Sequence, residues 1–451
     1  MPSISDASAR DALFEAAFWH GSIGAANAVL TMHPELEGAD IHVAALLGDE
    51  VAVRRFLDED RQLVSATSGP RGVDPLTWLC FSAYLQTDAS RSDGFLGAAT
   101  ALLDAGADPN TGFFDETHRP HPERESVLYG AAGVAHHAGV TKLLLERGAD
   151  PNDEEVPYHA PETYDNGAVQ ALLGSGRMSA DSLTMMLLRK ADWHDLDGVR
   201  LLLDHGADPN QMSRFGKTAL HQAVGRDNRL EIIDLLLDRG ADPRIVASEV
   251  RHGDYHREGR SGMAIAAWRG RADVLASVER RGIPLSLDGA DRLAAACARN
   301  DAVEAKRLAA EEPESLRRLL VEGGAVLAEF AGNDNAAGVS LLIDLGVPVD
   351  ALYAGDQYYG VAARSTALHV AGWRAAHDTV DMLIARGGNV NARDGLSRTP
   401  LMRAVSACVD SYWAWRRSPR SVEALLSAGA VRDGIAQPCG YAEADALLSA
   451  M

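Results

Sequence analysis

Two groups of residues in this sequence have the types and spacing to do chemistry. The first is acid-base: Glu154, Glu155, Tyr158 and His159 fall in one short stretch and supply side chains that give or take a proton. Close by type are His118 with His121, and His252 with Asp254 and His256, since imidazole and carboxylate are ordinary ligands of zinc or iron. Two close histidines in a polar loop fall short of the three or four convergent ligands a metal site requires, and no HExxH or cysteine motif accompanies them, so no metal and no cofactor is expected. The second group is suited to recognition. Trp268-Arg269 and Trp373-Arg374 repeat one pair of residue types in separate parts of the chain. Arginine offers a planar fork for carboxylate or phosphate and tryptophan a flat apolar face, so the pair suits an anionic or aromatic group. GxSxG, P-loop, dinucleotide-binding and kinase signatures are absent, which puts binding ahead of catalysis.

The bulk properties narrow the partners. The chain has 451 residues, 46% hydrophobic and 24% charged, which allows a large folded core. Its 43 Lys and Arg against 64 Asp and Glu leave a formal charge of -21, which repels phosphate backbones and anionic membrane surfaces at long range. The start MPSISDASARDALFEAAF lacks a basic-then-apolar leader, and no apolar run approaches the ~18 residues needed to span a bilayer. Nucleic acid and membrane are therefore not expected as partners, and a cytoplasmic location is expected. Cys80, Cys297, Cys408 and Cys439 are far apart and read as free thiols, mostly buried.

The elements that position the site residues recur along the chain. The unit is a Thr-Ala-Leu-His-like start, an alanine pair, a Gly or polar break, a Leu-rich run and a Gly-Ala-Asp-Pro-Asn ending. Thr218 to Arg244 and Thr366 to Asn391 are its clearest copies; others end in GADPN at Gly106, Gly148 and Gly206, with weaker endings at Gly176, Gly282, Gly346 and Gly429. In LEIIDLLLD, Leu230, Ile232, Ile233, Leu235, Leu236 and Leu237 cover more than one helical stripe, which demands neighbours on several sides. Gly240 can take the positive φ that ends this helix, and Asp242-Pro243 turns the chain away. Small residues such as Ala223, Ala266 and Ala371 let adjacent hairpins approach closely.

This pattern resembles the ankyrin-repeat family, over roughly Asp11 to Val431. The resemblance implies an all-α solenoid of about twelve helix-turn-helix units with inserted loops. We expect divergent repeats over 1-68, repeats with long insertions over 69-286, C-terminal repeats over 287-431 and a capping helix over 432-451. Units ending in HPEL at His33, in RQLV at Arg61 and in EPES after Asp291 depart from the pattern and are expected to have irregular loops.

By the family's register, residues after the alanine pair face a concave groove, which places Arg226, Trp268, Arg269, Trp373 and Arg374 there, with Arg403 one turn earlier. Charge reversal at Arg269 and Arg374 is expected to impair binding while leaving the unfolding midpoint nearly unchanged; the competing reading pairs these arginines with local Asp and Glu and uses the tryptophans as filling. His221 and His369, the histidines of TALH, are expected to tie neighbouring hairpins together. Insertions at 111-125, 153-166, 245-260 and 351-364 are expected to extend a recognition rim, and another at 411-420 to sit between the helices of the last full repeat, adding Tyr158, His159, Tyr255, His256, Tyr358 and Trp413 as candidate binding residues. The expected function is recognition of a protein or peptide, or of a small anionic ligand; an enzyme built from the insertions and a structural scaffold are the alternatives.

Overall fold

A computed structural model describes residues 6-153, 155-248, 259-411 and 413-450. Across them the chain is an all-α repeat solenoid, in two compact units, Met1–Arg214 and Phe215–Met451. The first holds six helical hairpins: Asp6–Ala17 with Ile23–Met32, Ile41–Leu47 with Glu50–Glu59, Pro75–Cys80 with Ser92–Ala105, Val127–Tyr129 (continued by a π-turn, Gly130–Val134) with Ala138–Glu146, Glu155–His159 with Gly167–Gly174, and Ala180–Asp192 with Leu196–Asp204. The second also holds six: Ala219–Gly225 with Leu230–Asp238, Gly262–Trp268 with Ala272–Arg280, Gly289–Ala298 with Ala302–Glu311, Gly323–Gly332 with Ala336–Asp344, Ala367–Trp373 with His377–Ala385, and Pro400–Val409 with Arg420–Ser427. A last helix, Ala442–Ser449, packs on Arg420–Ser427.

Several first helices, such as Ala219–Gly225 and Ala367–Trp373, are short because they are bracketed. Threonine opens the first helix at Thr218, Thr366 and Thr399, each in a capping box, so early amide donors that lack a helical partner are satisfied. It ends at a turn whose residue adopts positive φ: Gly48, His136, His194, Asp227, Gly270, Asn300, Asp334 and Ala375. The next helix is then capped by a side chain in several repeats, as by Asp195 on the Gly198 amide at 2.9 Å. In Leu230–Asp238 the residues Ile232, Ile233, Leu236 and Leu237 are buried, and Gly240 closes the helix at φ 91. First helices stack on first helices of neighbouring repeats, as Ala367–Trp373 does on Gly323–Gly332 and Pro400–Val409.

The departures from the repeat are ordered. HPEL and RQLV each become a 3-10 turn, Pro34–Leu36 and Arg61–Ser65, and EPES opens an additional helix, Pro313–Val321, with Pro313 at its first turn. The segment 153-166 is not a loop insertion: it contains Glu155–His159, the first helix of its own hairpin. The insertion at 111-125 forms an antiparallel ribbon of β1 (Gly112–Asp115) and β2 (Glu123–Ser126).

One turn tests this packing. At Gly270 φ is 68° and an added Cβ would lie 2.7 Å from the buried Phe330 ring. Gly270→Ala therefore combines left-handed strain with overpacking and is expected to cost about 2-4 kcal/mol in denaturant unfolding. The same change at Gly282, where φ is also positive but nothing lies within 4 Å, is expected to cost about 1 kcal/mol.

Candidate functional site

In Phe215–Met451 the inserted loop 351-364 folds back over the ends of the first helices, pinned by Tyr353 pairing with Ser365 and Asp356 with Val361. Between loop and helices lies a cavity of about 770 Å³ lined by Arg226, Arg260, Trp268, Arg269, Glu322, Glu329, Asp356 and Tyr358, among others. Its walls join apolar area to convergent polar groups, the usual character of a ligand site. Arg226, just past the end of its helix, lies with its guanidinium 3.7 Å from the ring centre of the exposed Tyr358. Trp268 is buried; its indole donates to Asp291 at 2.6 Å, and Arg260 stacks on its ring at 4.1 Å. Arg260, which sequence reasoning missed, also pairs with Glu322 at 3.1 Å.

The arginine wall needs correction. Arg269 and Arg374 are 4% and 2% exposed and converge on Asp227, whose side chain is 3% exposed. Arg269 grips both Asp227 carboxylate oxygens and reaches Glu329 at 2.8 Å; Arg374 donates to Asp227 at 2.6 Å. Asn333 adds a donor to Asp227 at 3.0 Å. Although burial alone would raise the Asp227 carboxyl, the two guanidinium groups hold it well below the usual carboxylate range. These arginines thus belong to a buried ionic clamp, and the pairing with local acids is the reading the structure favours. Asp227 was missed because a polar residue at the helix break reads as solvent-facing; its positive φ carries its side chain inward.

The aromatic candidates divide. Trp373 is half-buried, donates to the Tyr359 carbonyl at 2.7 Å, and carries Arg403 over its ring at 3.9 Å. Arg403 is itself buried, donating to the Gly360 carbonyl at 3.2 Å, so both brace the inserted loop. Trp413 is not a rim residue: it is 4% exposed, in a core cluster with Ala328, Tyr353, Tyr359, Val361 and Val370. Tyr255 and His256, with His252 and Asp254, lie outside the described residues, as does Glu154.

Tyr158 and His159 belong to Met1–Arg214 and line a different cluster. His159 is held between Glu155 at 3.0 Å and Glu162 at 2.8 Å. Burial opposes its charge, but these two carboxylates outweigh it and push the imidazole up to about 9. It keeps its proton at neutral pH and so cannot serve there as a base. Arg189 pairs with Glu162 and stacks on Tyr158 at 4.2 Å. His118 pairs with Glu123 at 2.9 Å and contacts the His121 carbonyl. Among the described residues no group of three or more His, Cys, Asp or Glu is arranged for a metal.

The repeat histidines cap their helices, and His369 also ties its hairpin to the next. His221 and His369 each accept from the amide of the threonine that opens their helix, at 3.2 and 3.1 Å. His369 also bonds the Arg398 carbonyl ahead of the next hairpin at 3.0 Å, and His42 makes the matching contact with Ala66 at 2.7 Å. Cys80, Cys297 and Cys408 are buried free thiols, while Cys439 is half-buried.

Paired helices, Thr-opened first helices and glycine-closed second helices define a helical-hairpin repeat protein. The family described as ankyrin repeats (3 copies) matches residues 160-247 and 187-278, and a single ankyrin repeat matches 364-395. The chain carries ankyrin repeats over these residues. It is similar to the crystal structure of the ankyrin repeat domain of Bcl-3, described as a unique member of the IkappaB protein family, at 23% identity, covering 53% of this chain and 97% of that one, with a TM-score of 0.21. Comparison with curated proteins gives no match. Ankyrin repeats are generally protein-interaction modules, and among the described residues no helix is long and apolar enough to cross a membrane.

Proposed function

We propose that the protein is a recognition protein that takes a short segment of a partner protein into the cavity beneath loop 351-364. The observation that carries this reading is the cavity itself: its volume of about 770 Å³ suits a few side chains rather than a whole domain. The exposed Tyr358 stacked with Arg226 offers an aromatic and cationic contact at the wall, the residue types that anchor interfaces. An acidic side chain on the partner is the expected complement of Arg226.

Ala325 lines this cavity and is half-buried, so Ala325→Trp should fill the space. Proteins and small molecules retained from a lysate by the wild type would be identified by mass spectrometry and their affinities remeasured with Ala325→Trp and with Tyr358→Ala. Binding of a peptide from the captured partner is expected to weaken at least tenfold in each. Unchanged affinity in both, with unfolding midpoints intact, would move recognition elsewhere; capture of a small molecule alone would replace the peptide reading.

A further inference from the structure

The ribbon of the first unit brings a buried acid into the cluster around His159. Glu125 on β2 is 4% exposed, and its Oε2 has no hydrogen-bond partner. Its cross-strand neighbour is Phe113, and directly opposed residues of a ribbon share a face. Phe113 packs 5.1 Å from Phe81, Tyr129 lies 5.8 Å from Phe81, and Tyr129 sits 5.3 Å from His159. The carboxyl is thus placed beside an aromatic wall.

The charged groups facing Glu125 are mainly acidic: Glu155 from the neighbouring helix, Glu123 on its own strand and Asp115 on β1. The cation facing it is His159, already shared by Glu155 and Glu162; one step out, His118 pairs with Glu123 at 2.9 Å, and Glu123 shares a hydrogen bond with Glu155, so Glu125 is the carboxyl left to gain a cation. Arg71 lies at the edge, 5.8 Å from the Phe113 ring and close to Asp115, and Arg214 acts on Glu155. An unpartnered buried carboxyl is costly, and here its surroundings are set for a positive group.

We propose that Glu123, Glu125 and Glu155, backed by Phe113 and Tyr129, form a site for one guanidinium group, as carried by an arginine side chain of a partner. Guanidinium fits because its planar fork matches carboxylate geometry while its face stacks on aromatic rings. A divalent metal is disfavoured by the lack of a convergent ligand set among the described residues. The site does not rest on the cavity of the second unit, and its test uses different variants.

With the guanidinium absent, burial and the neighbouring carboxylates push Glu125 up to about 8. Guanidinium binding therefore expels its proton below that pH. Titration of the full chain with N-acetylarginine amide is expected to show roughly tenfold tighter binding at pH 8.5 than at pH 7, with proton release at the lower pH. His159 loses its charge near pH 9, which adds in the same direction above this window. Glu125→Gln, nearly isosteric with the neutral acid, should weaken binding at least tenfold at pH 8.5 and abolish the pH dependence. Glu123→Gln, at a half-buried position next to His118, should weaken it severalfold and keeps the site testable should the first variant fail to fold. The neutral citrulline analogue should not bind. Agmatine separates the sources: weaker binding than the arginine amide supports a peptide side chain, and equal or tighter binding overturns that source in favour of a free guanidine. Equal binding of the citrulline analogue, no saturable binding at pH 8.5, or wild-type behaviour of both variants overturns the site.

Discussion

Asp227→Ala is expected to lower stability by about 3-5 kcal/mol, read as a fall in the denaturant midpoint at neutral pH. The substitution leaves Arg269 and Arg374 inside the fold at 4% and 2% exposure without the carboxylate they share. Glu329 still neutralises part of Arg269, whereas Arg374 keeps its rings, Tyr359 at 4.1 Å and Trp413 at 4.5 Å, but loses its ion pair. Charge reversal of either arginine is expected to be at least as damaging, since it sets two carboxylates against each other. Replacing all three by apolar residues of similar volume, together with Glu329→Gln so that the fourth member of the cluster is not left charged, should cost less than Asp227→Ala alone, because no buried charge is then orphaned. For contrast, Lys142→Ala breaks an exposed pair with Glu146 at 3.8 Å and should leave the midpoint unmoved. An unmoved midpoint in Asp227→Ala would show that the clamp contributes nothing.

The second large effect is acid sensitivity through His221. Burial at 2% exposure pushes its imidazole down to about 4, against about 6.5 in an unfolded chain. The unfolded state therefore binds the proton first as pH falls. The stability that the neutral ring contributes is fully present above pH 6.5 and is lost progressively down to about pH 4, amounting to roughly 3 kcal/mol. His369, also lowered by burial, acts with the same sign. His159 acts oppositely: its raised value favours the fold below pH 6.5 and the benefit disappears as pH rises through about 9. His221→Gln keeps a polar group at the cap but cannot titrate, so its stability difference between pH 7 and pH 4.5 should be smaller than wild type by about 2 kcal/mol. An equal difference in the two proteins would remove His221 as the sensor.

The hairpins were legible in the sequence because their signals are local: threonine and histidine at the start, a break, a leucine-rich run and a closing glycine. Gly240 and His369 do what their positions imply. The candidate site was legible only in part. Arg226, Trp268 and Tyr358 line one cavity, but register alone cannot tell an arginine that faces solvent from one that meets a carboxylate 147 residues away, as Arg374 does. Trp413 misled for a related reason: an aromatic in an insertion reads as exposed until the insertion is seen to fold inward. Glu125 carried no signal at all, since its burial follows from the pairing of β2 with β1.

The Asp227 clamp also bears on how such a chain can change its length. A stack held together by nearest-neighbour contacts tolerates gain or loss of a unit, because each new unit meets the same surfaces as the old one. Here Asp227 and Arg374 belong to hairpins with three others between them. Duplicating or deleting one of those would displace the guanidinium by about one interhelix spacing, roughly 10 Å, and strand the buried Arg374 charge, even where Arg269 stays on Asp227. Recombination that is silent elsewhere in a repeat array would be punished between residues 227 and 374, so the number of hairpins in that stretch is fixed by a single carboxylate.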